Sequence, residues 1–127
     1  MCRLRQSHVA IVLTWIALSA PGATSTQAVD VVQEKPEFQK HVLPILETKC
    51  IRCHGARRRD GKLDLRTLES IRKGGVSGSA IKPGNATKSL LIELIHYNEM
   101  PPPKEQPRVT PDELKLLRIW IEQLPPS

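Results

Sequence analysis

Cys50-Ile51-Arg52-Cys53-His54 places two thiols and an imidazole within five consecutive residues. Three chemistries use that combination. Two thiols with a two-residue spacer can add across the two vinyl groups of a haem, each S–H giving a thioether. The histidine that follows then faces the iron as proximal ligand. The same pair can close a redox disulfide, which calls for a βαβ setting. It can also begin a structural zinc site, which calls for four ligands. His41 or His96 would have to join such a site, and the sequence has no second cysteine pair. No stretch alternates as a strand does. The spacing therefore favours haem c, attached once, through Cys50 and Cys53 with His54 on the iron.

The start of the chain bears on this chemistry. Arg3 and Arg5 precede an uncharged run from Val9 to Ala20, and small and polar residues follow from Pro21 to Ala28. This order is that of a secretory signal peptide. The run is short of the roughly 20 apolar residues that a membrane helix needs, so membrane association is expected only if the segment stays uncleaved. Cleavage is expected after Thr26-Gln27-Ala28, with Ser25 as a second site, and places the protein in the periplasm. Residues 1–28 are thus assigned to the signal, 29–35 to a polar lead-in, 36–124 to the folded domain and 125–127 to a tail.

Removal of the signal leaves 99 of the 127 residues and takes away Arg3 and Arg5, which lowers the formal net charge from +6 to +4. Cys2 is lost as well, so Cys50 and Cys53 become the only thiols. The remaining positive charge is modest. Arg57, Arg58 and Arg59 are clustered, but nothing interleaves them with aromatics as single-strand binders do. No nucleic-acid partner is expected, and a solvated loop or a neighbour of the haem propionates suits the cluster better. Only Phe38, Tyr97 and Trp120 remain as aromatics. A domain this small buries little surface by itself, and a porphyrin would supply the large flat apolar body it lacks.

A haem iron held by His54 has a second axial position, for which methionine or histidine is the common donor. After residue 28 the chain has one methionine, Met100, directly before Pro101-Pro102-Pro103. A lone methionine is often core filler, but a polar, proline-rich loop suits that role poorly. The prolines predict a stiff extended segment able to hold the thioether. His96 is the alternative ligand, at a helix end where a surface role is equally natural. His41 is expected at the surface or near the haem edge.

The elements that must position these residues are helical. Phe38, Val42, Ile45 and Leu46 recur at helical spacing, with Pro44 expected to kink or shorten the helix. Thr67 to Lys73 predicts a short helix stopped by Gly74-Gly75. Asn85 or Thr87 is expected to cap a helix with the apolar face Leu90, Leu91, Leu94 and Ile95, which must end near Asn98, ahead of Pro101. Thr110-Pro111-Asp112-Glu113 is a capping box, followed by the stripe Leu114, Leu117, Ile121 and Leu124 with Trp120 beside it. The expected fold is all-α, with three or four short helices and long loops around one haem.

These residues resemble those of the planctomycete-type cytochrome c domain, within the mono-haem class I cytochrome c fold. The resemblance is carried by Phe38, Val42-Leu43-Pro44-Ile45-Leu46, Cys50-x-x-Cys53-His54-Gly55 and Leu63-Asp64-Leu65. It continues through Gly74-Gly75-x-x-Gly78, Pro83-Gly84, Ser89-Leu90-Leu91, Met100-Pro101-Pro102 and Leu114 to Ile121, and so spans about residues 36–124. It implies that His54 and Met100 are the axial ligands, and that the first and last helices cross with Phe38 near Trp120. Asp60-Gly61-Lys62 stands where the family often has paired glycines, a difference of loop shape. Such domains usually head longer proteins, so this chain reads as a free-standing or truncated version, and the activity of larger relatives is not carried over. The expected function is one-electron transfer between redox partner proteins rather than enzyme catalysis. A haem enzyme or sensor with an open sixth position, or a haem-stabilised docking module, is the alternative.

Overall fold

The computed structural model describes residues 34–126. The signal peptide read over residues 1–28, its cleavage after Ala28 and nearly all of the lead-in lie outside the described residues. The described chain is helical, with isolated bridges at His54–Arg59 and Gly75–Gly78 as its only β pairing. None of its helices is long and apolar enough to cross a membrane.

The first helical segment opens with a π-helical turn, Phe38–Val42, and continues as α1, Leu43–Lys49. Pro44 neither ends nor shortens it. The amides of Val42 and Leu43 reach back five residues, to the carbonyls of Glu37 and Phe38. Pro44 has no N–H with which to continue that ladder, and it takes a first-turn position of α1, where the missing donor costs nothing. The proline thus marks the change from wide to ordinary helix.

Helix α2, Leu68–Lys73, is opened by Thr67, whose hydroxyl accepts from the Ser70 amide, and is closed by Gly74 at φ +74°. The next segment differs from expectation. Asn85 caps a separate 3₁₀ turn, Ala86–Lys88, by accepting from the Lys88 amide at 3.0 Å. Helix α3, Leu90–His96, starts only after Ser89, which gives it no side-chain cap. The Ser89 hydroxyl is fully buried; it donates to the Asn85 carbonyl and accepts from the Lys82 amide, each at 2.8 Å. A buried hydroxyl must be paired, and this pairing takes it away from capping. Asn98, at φ +59°, turns the chain out of α3 before the prolines.

Helix α4, Pro111–Gln123, has the predicted capping box in full. The Glu113 amide donates to the Thr110 hydroxyl at 3.2 Å, and the Thr110 amide to the Glu113 carboxylate at 2.7 Å. Its buried residues are Leu117, Trp120 and Ile121, while Leu114 and Leu124 are half-buried. Trp120 belongs to the core rather than flanking it. That core joins Val42, Ile45 and Leu46 to α4, to Ile92 and Ile95 of α3, and to Leu65, Ile71 and Ile81. Phe38 lies against Trp120 with ring centroids 5.7 Å apart and planes tilted by 34°, which is the crossing that the resemblance implied.

Tilted ring pairs at this separation add about 1 kcal/mol beyond the area they bury. A double-mutant cycle on Phe38→Leu and Trp120→Leu, read by denaturant unfolding, is expected to return a coupling of about that size. A coupling indistinguishable from zero would reduce the pair to simple apolar burial.

Candidate functional site

The site begins where α1 ends. The amides of Cys50 and Ile51 both donate to the Leu46 carbonyl at 2.8 Å, which closes the helix and starts a tight turn. The amides of Cys53 and His54 then return to the Cys50 carbonyl at 3.1 and 2.9 Å. Gly55 permits this turn, because a Cβ there would collide with the Ile51 carbonyl oxygen. The following loop folds back on the motif. The Asp60 amide donates to the Cys53 carbonyl at 3.0 Å and the Leu65 amide to the His54 carbonyl at 2.9 Å.

His54 Nδ1 lies 3.0 Å from the backbone oxygen of Asp60. A carbonyl oxygen can only accept, so Nδ1 carries the proton and Nε2 keeps its lone pair. This is the arrangement that prepares a histidine for a metal: the second shell fixes the tautomer and the ring orientation.

Cys50, Cys53, His54 and Met100 line one cleft, whose empty volume is about 1230 Å³ including its open mouth. Apolar side chains form most of its walls: Leu63, Leu65 and Ala80 on the loops, Leu90, Leu91, Leu94 and Ile95 on or beside α3, and Pro101 after it. The Gly61 and Gly75 segments line the cleft as well. The Val76 amide donates to the Gly61 carbonyl at 2.8 Å, an approach that a Cβ on Gly75 would block.

Met100 reaches the cleft from the turn after α3. Its amide and that of Glu99 both donate to the Leu94 carbonyl, at 3.1 and 2.9 Å. The proline segment is not extended as predicted. It bends at Pro101, which is buried, and turns at Pro103-Lys104, with the Glu105 amide donating to the Pro102 carbonyl at 2.8 Å. The other candidate ligands lie elsewhere. His96 is exposed and stacks edge-on with Tyr97, while His41 accepts the Glu37 amide at the start of the first helical segment. Neither lines the cleft.

The rival chemistries fare poorly. Cys50 and Cys53 are free thiols. Burial pushes the Cys50 thiol up to about 11, with nearby Lys49 offsetting only part of the effect, whereas a redox dithiol needs a lowered pKa. Among the described residues, no three of His, Cys, Asp and Glu gather as a metal-ligand set, as a zinc site would require. The donor set does suit a haem c. Two thiols and a pre-oriented imidazole stand on one wall, and a thioether sulfur stands on the loop beyond α3, around a space walled by leucines.

Residues 50–104 match the family model described as Planctomycete cytochrome C. Over that stretch the chain is similar to a planctomycete-type cytochrome c domain. Haem-based electron transfer, with haem c as cofactor, is what this domain implies. The match is narrower than the span of the sequence resemblance. It takes in the cleft, apart from Thr48, Lys49 and residues 105–107, and leaves α1 and α4 outside. No curated protein and no solved structure matches the chain.

The basic loop after the motif is partly neutralised from within. Arg58 pairs with Asp60, and Arg59 and Arg66 both pair with Asp64. Hydrogen bonding from Arg66 holds the Asp64 carboxyl down at about 2, against an ordinary 3.8. A depressed folded-state pKa adds stability that is complete above the unfolded value and disappears as pH falls through the folded one. Asp64→Asn is therefore expected to cost about 1 kcal/mol at neutral pH, discounted for the exposure of both arginines. The gap to wild type should close between about pH 4 and pH 2. Urea unfolding across that range checks the claim; a gap independent of pH would contradict it.

Proposed function

We propose that this chain is an exported c-type cytochrome with a single haem, ligated by His54 and Met100, that transfers electrons one at a time between redox proteins. The observation that carries the reading is the convergence of Cys50, Cys53, His54 and Met100 on one apolar cleft. Bound haem supplies the Fe(III)/Fe(II) couple.

Each residue has its part. Cys50 and Cys53 would hold the group through thioethers, which would keep it from dissociating. His54 presents Nε2 because its Nδ1–H is taken by the Asp60 carbonyl. Met100 offers a neutral, polarisable sulfur, and histidine–methionine ligation raises the reduction potential relative to two histidines. Leu63, Leu65, Leu91 and Ile95 line the cleft and would shield a bound haem from water, which would favour a high potential. With His54 and Met100 both holding the iron, no site would be left for a substrate, which is why electron transfer is preferred to haem catalysis. Export to the periplasm rests on reading residues 1–28 as a signal peptide, with the processed chain beginning at Val29.

The test is spectroscopic. Holoprotein made in a host that attaches haem to such motifs should contain one iron per chain and keep its colour on the polypeptide after denaturation. The ferric protein should be low-spin, and Met100→Ala should turn it high-spin and lower its potential. A wild type that is already high-spin, with a spectrum unmoved by Met100→Ala, would overturn the ligation. Colour that is lost on denaturation would overturn the attachment.

A further inference from the structure

Arg108 lies in the short link between the proline loop and α4, and both its ends are engaged. Its guanidinium donates through Nη1 to the Pro101 carbonyl and through Nη2 to the Asn98 carbonyl, at 3.0 Å, and the Asn98 side-chain oxygen, at 3.3 Å. Asn98 and Pro101 bracket Met100. Its own carbonyl accepts from Lys49 Nζ at 2.7 Å. Lys49 is the last residue of α1 and the neighbour of Cys50, and its side chain is only 7% exposed. The same ammonium pairs with Glu113 in the α4 capping box at 3.2 Å. One residue thus joins the wall that carries the thiols to the loop that carries the thioether.

We propose that Arg108 is a positioning residue for Met100, setting the thioether loop in place before iron is bound. The inference rests on the reading that Met100 is an axial ligand. Its physical basis is the planar fork of the guanidinium. Two donors in fixed geometry span acceptors at residues 98 and 101, and so define the bend between them. A lysine ammonium is a point donor on a flexible stem and cannot set both at once. The Met100 amide, tied to Leu94, fixes the approach to the sulfur, and Arg108 fixes the departure.

Another tie crosses the same gap. Arg52, inside the Cys-x-x-Cys spacer, pairs with Glu105, but the Arg52 side chain is 69% exposed. Exposed pairs contribute little and are screened by salt. Arg108 is half-buried, and its bond to the carbonyl of the buried Pro101 is part-buried, with no other donor to that carbonyl among the hydrogen bonds described. The positioning therefore falls to Arg108.

The test uses ferric holoprotein and added imidazole, which competes with Met100 for iron. The readouts are the thioether-to-iron charge-transfer absorption, the apparent imidazole affinity and the unfolding midpoint. Losing a charge-assisted hydrogen bond to the loop should raise the population with Met100 detached, so Arg108→Leu should bind imidazole about tenfold more tightly than wild type. Arg108→Lys should fall between them. If Arg108→Leu does not load haem, an unchanged affinity in Arg108→Lys is enough to overturn the proposal. A variant that lowers only the unfolding midpoint, at wild-type imidazole affinity, would make Arg108 a structural residue and leave the Met100 reading intact. A wild type without the thioether absorption would overturn both.

Discussion

Phe38 and Trp120 meet at 5.7 Å where the first helical segment crosses α4, and the direction of α1 follows from that contact. Val42 and Leu46 are fully buried on the same side as Phe38, and Leu117 and Ile121 on the same side as Trp120, so α1 has little freedom to roll. Its last carbonyls then aim the chain. Leu46 accepts from both Cys50 and Ile51, and the turn that begins there delivers two cysteines and a histidine to one wall. Two of the three aromatics after residue 28 are thus spent on the frame rather than on the cleft. The cleft is walled by leucines instead, and in a domain of this size it is the large apolar space that a flat cofactor would fill.

Irregular backbone around a cleft has to satisfy its own polar groups, and this chain does so with a few shared acceptors. Leu46 and Leu94, near the ends of α1 and α3, each take two amides from the chain that leaves the helix. Loops placed in this way keep their shape because each departs from a packed helix at a fixed angle. The charges act on top of that frame. Asp64 collects Arg59 and Arg66, and Lys49 joins Glu113 to the Arg108 carbonyl. The loop between Cys53 and Leu65 is held at its base by amides and at its rim by ion pairs.

What was legible in the sequence was whatever depends on near neighbours. The capping box of α4, the stop at Gly74 and the helical spacing of Leu117 and Ile121 are set within four residues, and the motif from Cys50 to His54 is as local. Pro44 misled because its effect depended on the turn before it: at the junction of a π-helical turn and an α-helix, its missing N–H removes nothing. Asn85 misled because Ser89, the better-placed cap for α3, has its buried hydroxyl taken up by the Lys82 amide and the Asn85 carbonyl. The triple proline suggested a rod, but Arg108 draws the Pro101 carbonyl inward and the segment bends. The contacts that organise the site were the least visible. His54 is oriented by a backbone oxygen, which has no letter in the sequence, and Lys49 meets Arg108 across 59 residues.

That difference in range separates the two proposed axial donors. The imidazole of His54 is fixed by Asp60, six residues on, inside a loop whose ends are tied by the amides of Asp60 and Leu65. Met100 is fixed by Leu94 through α3, and by Arg108, whose own place depends on α1 and α4 together. Local contacts survive a loosening of the core better than contacts that require three helices to be in register. The thioether is therefore the donor whose hold reports on the packing of the whole domain, and the crossing of Phe38 over Trp120 reaches the proposed iron site from the methionine side as well as from the cysteine side.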